Sequence, residues 1–177
     1  MLDRRKLLTA GAAAAFVMVR PSIARAVPSV RKVFLANPHT GDAFHDAYWE
    51  EGDYIPDALE RIDLLMRDYH NDQVKHIDPE LIDLLAQLRT RLGIAQPIQV
   101  MSGYRSPQTN AAARRRNRHV ARNSYHMQGK AVDIRIPGFN LAKLRRAAID
   151  MRAGGVGTYP RASFLHLDVG PRRVWTS

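Results

Sequence analysis

The chain has 177 residues, with 27 Lys and Arg against 17 Asp and Glu, and no cysteine. The missing cysteine excludes disulfide staples, thiolate zinc sites and thiol nucleophiles. A formal charge of +10 points to an anionic partner, and a chain of this length is one domain's worth, able to bury a core without cross-links.

Asp3-Arg4-Arg5-Lys6-Leu7-Leu8 opens the chain, an apolar run follows from Leu7 to Val19, and Pro21 and Ala24-Arg25-Ala26 close it. This is the layout of a twin-arginine signal peptide over residues 1–26, with cleavage before Val27. The apolar run is shorter than the ~20 residues a permanent span needs. The expectation is an exported protein, periplasmic or in the cell envelope, with no permanent membrane span. It consists of a single domain over residues 27–177 and is a monomer. Removing the leader lowers the charge from +10 to +6, so the remainder is still basic.

Val33 to Leu35 reads as a short strand, Asn37 to Asp42 as a turn, and Ala43 to Tyr54 as a returning strand or irregular hairpin arm. Pro56-Asp57 opens a helix in which Leu59, Ile62, Leu65 and Met66 recur at helical spacing up to Tyr69. Asp78-Pro79-Glu80 starts a second helix, carried by Leu81, Leu84, Leu85, Leu88 and Leu92 and stopped by Gly93. Pro97 to Met101 is a strand, Thr109 to Arg118 a helix with an arginine face, and Ala131 to Ile136 a strand with Asp133 opposite its apolar neighbours. Leu141 to Met151 is a further helix, and Val156–Tyr159 and Ser163–Val169 form a closing hairpin. The sum is an α+β fold, helices packed against a small antiparallel sheet.

Leu84 to Val132 contains no Asp or Glu but eight arginines and Lys130. Such a block attracts polyanions. Nucleic acid is disfavoured, because aromatic interleaving is poor and no recognition motif accompanies the arginines. The carboxylate-rich peptidoglycan of the cell wall is the better partner for an exported chain.

His126, Asp133 seven residues later, and His166 carry the chemistry. Two neutral imidazoles and a carboxylate form a borderline-hard set suited to Zn²⁺, with a fourth position left for water. His166 and Asp168 are two apart on a strand and project to one face. Asp168 is therefore the base that accepts a proton from zinc-bound water, the acceptor that orients an imidazole N–H, or the partner of an ion pair with Arg172 or Arg173. Arg105, just after a strand and a Gly-Tyr turn, is placed to clamp a substrate carboxylate or polarise the scissile carbonyl.

Ser102-Gly103-Tyr104-Arg105-Ser106, then Ser124-x-His126-x-x-Gly129-x-Ala131-x-Asp133, then the late His166 resemble the D-Ala-D-Ala zinc metallopeptidases, whose fold is shared with lysostaphin-type enzymes and the hedgehog signalling domain. More closely, the chain is similar to the exported murein endopeptidase K branch. That similarity runs from the leader and His39-Thr40-Gly41 to Gly154-Gly155-Val156-Gly157 and Asp168-Val169-Gly170-Pro171-Arg172-Arg173-Val174-Trp175. The resemblance implies zinc on His126, Asp133 and His166, Tyr104, Arg105 and Ser124 against substrate, and hydrolysis of peptidoglycan cross-links, favouring those that join two diaminopimelate residues. Two positions depart from the pattern. Ser163 stands where many relatives carry a catalytic Glu, which leaves Asp168 as the candidate base. His119 stands where a Gly is expected, adding a possible ligand or proton carrier. The competing functions are a D,D- or L,D-carboxypeptidase with the same zinc chemistry and a non-catalytic wall-binding module.

Overall fold

Val33 and Leu35 are the buried alternate positions of Val30–Ala36, the first strand, β1. It is longer than the apolar pattern alone marks out, because Arg31 is also held in place. Its guanidinium donates to both oxygens of Asp83 at 3.0 Å and lies 4.1 Å over the Trp49 ring. The computed structural model describes residues 30–118, 120–152 and 154–177. The proposed leader over residues 1–26 and the departure at His119 lie outside the described residues.

The turn after β1 is fixed by Asn37, whose side chain donates to Leu65 O and accepts from the His39 amide, both at 2.9 Å. Strand β2, Ala43–Glu50, returns antiparallel, and the short β3, Asp53–Tyr54, pairs with its end. Helix α1 covers Pro56–Leu65, and α2 covers Pro79–Leu92. The Asp78 side chain caps α2 by accepting from the Glu80 amide, and Gly93 ends it in the left-handed region at φ 62°. The apolar spacing ran on to Tyr69, but α1 stops at Leu65 because Asp68 pairs instead with Gln73 in an isolated bridge.

Strand β4 is Ile98–Ser102 and α3 is Pro107–Arg116, opened by a Ser106 side chain that accepts from the Thr109 amide. A single 3₁₀ turn at Tyr125–Gln128 precedes β5, Ala131–Arg135. Helix α4, Leu141–Asp150, leads to β6, Gly155–Tyr159, and β7, Phe164–Asp168. The chain closes on β8, Arg173–Thr176.

The α+β class holds, but the sheet is neither small nor wholly antiparallel. Its eight strands run β3-β2-β1-β4-β5-β7-β6-β8, with β1–β4 and β6–β8 parallel. Parallel neighbours need a long crossover, and α1 with α2 supplies the one between β1 and β4. Strand β8 was not anticipated, since Arg173-Val174-Trp175-Thr176 is half polar and too short to show a period. Helices α1, α2 and α4 pack on the sheet, where Leu81, Leu85, Leu88 and Leu144 meet Val33, Leu35, Val132, Ile134, Leu165 and Leu167, all essentially inaccessible. Each such side chain contributes about 1.5–3 kcal/mol on burial.

A cross-strand register sets the functional face. Ser102 pairs with Asp133, Asp133 with His166, His166 with Gly157, and Gly157 with Trp175. Directly opposed residues share a face, so these five form one row across β4, β5, β7, β6 and β8.

Asp68 anchors the loop beside this row. It is 2% exposed, and its carboxylate accepts from the amides of Ser106 at 2.8 Å and His70 at 3.1 Å. Burial alone would raise its pKa, but hydrogen bonds from Thr109, Ser106 and His70 outweigh that and lower it. A depressed native pKa stabilises the fold above the unfolded value of about 3.9 and loses that contribution as pH falls through the native value. Asp68→Ala is expected to cost about 2–3 kcal/mol at pH 7. Urea unfolding should show the difference from wild type shrinking below pH 4. A pH-independent difference would contradict the ionised anchor.

Candidate metal centre

Asp133 and His166 meet because they are register partners on adjacent antiparallel strands. His126 reaches them from the 3₁₀ turn, which Ser124 caps by accepting from the His126 amide and Gly129 closes at φ 70°. All three are buried. His126 Nε2 lies 3.2 Å from His166 Nδ1 and 3.3 Å from Asp133 Oδ1, and His166 Nδ1 lies 2.9 Å from Asp133 Oδ1.

The outer hydrogen bonds determine what the inner atoms offer. His126 Nδ1 sits 2.7 Å from the carbonyl of Gly103, which can only accept, so Nδ1 carries the proton and Nε2 presents a lone pair. His166 Nε2 likewise donates to Asp168 Oδ2 at 2.9 Å, leaving Nδ1 bare in the neutral ring. With both rings neutral, three electron-rich atoms converge in a buried place, a donor set that could hold a cation. Ligands at 2.0–2.1 Å from a tetrahedral ion are about 3.3 Å apart, which is close to the separations found here, so the residues fit a bound metal.

Charge in the cluster follows the same logic. Burial depresses the His126 pKa, keeping the ring neutral. Burial would also raise Asp133, but His126 and His166 hold its carboxyl well below the usual range. His166 is pushed up to about 8 against its burial by Asp133 and Asp168. The site is built to stabilise positive charge.

Asp168 stands on the far side of His166, with its carboxylate fully committed. Oδ1 accepts from the amides of Gly155 and Gly170, both at 2.9 Å, and Oδ2 accepts from His166 and, at 2.6 Å, from Arg173. Burial would raise its pKa, but these partners bring it down to about 2. A group so placed orients the imidazole and is a poor proton acceptor near neutral pH. The placement therefore runs against the expectation of Asp168 as base. Ser163, where the Glu was looked for, is exposed on the β6–β7 turn. Among the described residues, the carboxylates that line the groove are Asp68 and Asp133.

Two arms of a groove meet at the cluster, one of about 710 Å³ and one of about 740 Å³, and both are lined by Arg105, Asp133 and Phe164. Arg105 Nη2 donates to Ser102 Oγ at 3.2 Å and to Asp133 Oδ2 at 3.4 Å, leaving other guanidinium donors for a ligand. Tyr104 lines the first arm, and its amide donates to Met66 O at 2.7 Å. Ser124 lines the second arm, but its hydroxyl is used as the cap that positions His126.

The second arm contains Tyr125, Tyr159 and Trp175, none of which sequence reasoning had placed there. The Trp175 ring lies 5.2 Å from that of His166, and its Nε1 donates to Tyr159 Oη at 3.2 Å. It reaches His166 because Gly157 lies between them, and a Cβ there would run into the indole. Gly155 leaves the same opening for Arg173 to reach Asp168. The spacing Gly155-x-Gly157 was the available signal, since alternate glycines on a strand leave a bare strip that larger neighbours fill.

Residues 25–175 match the family described as peptidoglycan L,D-endopeptidase MepK. The chain belongs to this peptidase family. Its relatives include peptidoglycan L,D-endopeptidase MepK of Escherichia coli K12, 43% identical over 176 residues that cover 98% of this chain and 97% of the relative. The Shigella flexneri protein of the same description gives the same figures. The probable peptidoglycan L,D-endopeptidase MepK of Haemophilus influenzae is 39% identical over 177 residues, covering 98% and 95%.

Asp168→Asn is expected to weaken metal binding about 10–100-fold, measured by competition with a chromophoric chelator. A base role predicts the opposite pattern, with affinity intact and kcat alone reduced.

Proposed function

We propose that this chain is a zinc-dependent endopeptidase that cleaves peptide cross-links of peptidoglycan outside the cytoplasm. The observation that carries the reading is the pair of groove arms meeting at the His126–Asp133–His166 cluster. An endopeptidase must hold chain on both sides of the scissile bond, and a cross-link presents a stem on each side. The relatives' L,D-endopeptidase descriptions and the twin-arginine start support the same assignment of bond type and compartment.

His126, Asp133 and His166 would hold the metal, and an N/O set without cysteine suits zinc. When bound, zinc supplies Lewis acidity and a nucleophile drawn from water at neutral pH. The protein's own contributions are positioning and charge. Gly103 O and Asp168 fix the tautomer and plane of the two imidazoles. Arg105 balances the outer oxygen of Asp133 and turns its remaining donors toward the groove, where they stabilise negative charge developing on the scissile carbonyl. Tyr125, Tyr159, Phe164 and Trp175 give the second arm aromatic walls against which a stem packs and from which water is displaced. Asp168 is a positioning residue in this scheme, and Ser124 acts through His126.

Metal-loaded protein should convert purified cross-linked muropeptide dimers to monomers, read by chromatography. Trimmed stems on dimers that stay joined would identify a carboxypeptidase instead. Failure to convert any dimer, with metal content verified, would leave a wall-binding module. Arg105→Ala should lower kcat/KM about 10²-fold, or ~2.7 kcal/mol, while metal content stays at the wild-type level. Loss of metal in that variant would reassign Arg105 to holding the site together.

A further inference from the structure

Some arginines outside the metal centre pair with a carboxylate and others do not. Arg31, Arg61, Arg67 and Arg91 each pair with a carboxylate. Arg114, Arg115, Arg118 and Arg122, which lie in the stretch from Leu84 to Val132 that holds no Asp or Glu, do not. Among the described residues no carboxylate from elsewhere lies in ion-pair reach of them. Instead the four guanidinium side chains surround one depression of about 550 Å³, floored by Ala111 and Met127.

The depression is built rather than incidental. Arg114 Nη1 donates to Val120 O at 2.7 Å, and Asn110 Nδ2, itself 2% exposed, donates to Ala121 O at 3.1 Å. These tethers tie the loop after α3 back to the helix, and Arg118 and Arg122 line the same depression as Arg115. A simpler account is that cations at the end of α3 complement its dipole. That account covers Arg114 and Arg115, but Arg118 and Arg122 lie beyond the helix, which ends at Arg116. Like charges gathered without counter-charge repel one another, and an anion bound between them removes that repulsion.

The next arginine, Arg116, lines the first arm of the catalytic groove, and Val120 lines both arms. The basic depression and the groove are therefore neighbours on α3 and its following loop, and one polymer can occupy both. Guanidinium forks match carboxylates in a bidentate manner. We propose that the depression lined by Arg114, Arg115, Arg118 and Arg122 is an exosite that holds a carboxylate-bearing stem of the polymer whose cross-link lies in the groove. This rests on the endopeptidase reading for the identity of the polymer, but not for the chemistry of the site. Its function is to keep the enzyme on an insoluble, multivalent substrate, where a second contact raises the effective concentration of the first.

The test uses the metal-loaded exported chain and its Arg115→Gln/Arg118→Gln/Arg122→Gln variant. All three side chains are exposed, so the variant should unfold at the wild-type temperature or above it. Co-sedimentation with purified sacculi should show wild-type binding falling at least tenfold between 50 and 300 mM salt, on the order expected when several ion pairs are screened. The variant should bind about tenfold more weakly at low salt and respond less to salt. Both proteins should cleave small soluble muropeptide dimers at rates within twofold. Equal sacculus binding by the two proteins would overturn the proposal. So would tighter wild-type binding to phosphatidylglycerol vesicles or to a single-stranded oligonucleotide, since the depression would then serve phosphate. If neither protein cleaves soluble dimers but the difference in sacculus binding persists, the endopeptidase reading fails and the exosite stands.

Discussion

Three lone pairs, on His126 Nε2, His166 Nδ1 and Asp133 Oδ1, point at one another across 2.9–3.3 Å inside the protein. Burying electron-rich atoms against each other is unfavourable unless positive charge lies among them, and most of the surrounding structure serves that arrangement. Pairing of β5 with β7 sets Asp133 opposite His166. The Ser124 cap and the Gly103 carbonyl bring in His126 and fix which nitrogen is bare. Arg105 balances the oxygen of Asp133 that faces away from the imidazoles.

The support extends outward by a further step. Asp168 holds His166, and Arg173 with the amides of Gly155 and Gly170 hold Asp168. Arg173 in turn lies 5.0 Å from the Tyr125 ring and 5.3 Å from the Trp175 ring. The last strand therefore helps fix His166 through one residue and walls the groove through another. Two glycines on β6 make both reaches possible. Saturation of Asp168 also explains why a carboxylate so near the site suits orientation better than proton transfer: an oxygen already accepting from a guanidinium and an imidazole has little basicity left.

Much of the helical frame was legible in the sequence. Asp78-Pro79-Glu80 and Gly93 bound α2 as their capping chemistry requires, and Leu81, Leu85 and Leu88 mark its buried face. The strands β5 and β7 were legible for a related reason, since apolar residues alternating with Asp133 and His166 leave few other conformations. What escaped reading were elements whose stability comes from partners. The start of β1 depends on Arg31 reaching Asp83 and Trp49. Strand β8 has no period of its own and exists because β6 offers it an edge. The end of α1 was overrun because Asp68 is drawn into contacts with Ser106, far along the chain.

The sequence by itself excluded cysteine from any donor set and left few acids after Leu84, which singled out Asp133 and Asp168 beside His126 and His166. It also determined the excess of arginine from Leu84 to Val132. Tertiary structure alone decided what each donor faces. His166 and Asp168 share a strand face in any register, yet whether Asp168 looks toward the cluster or away from it depends on which imidazole nitrogen pairs with Asp133 across the sheet. That choice is made by a contact between residues 33 positions apart, and no local spacing encodes it.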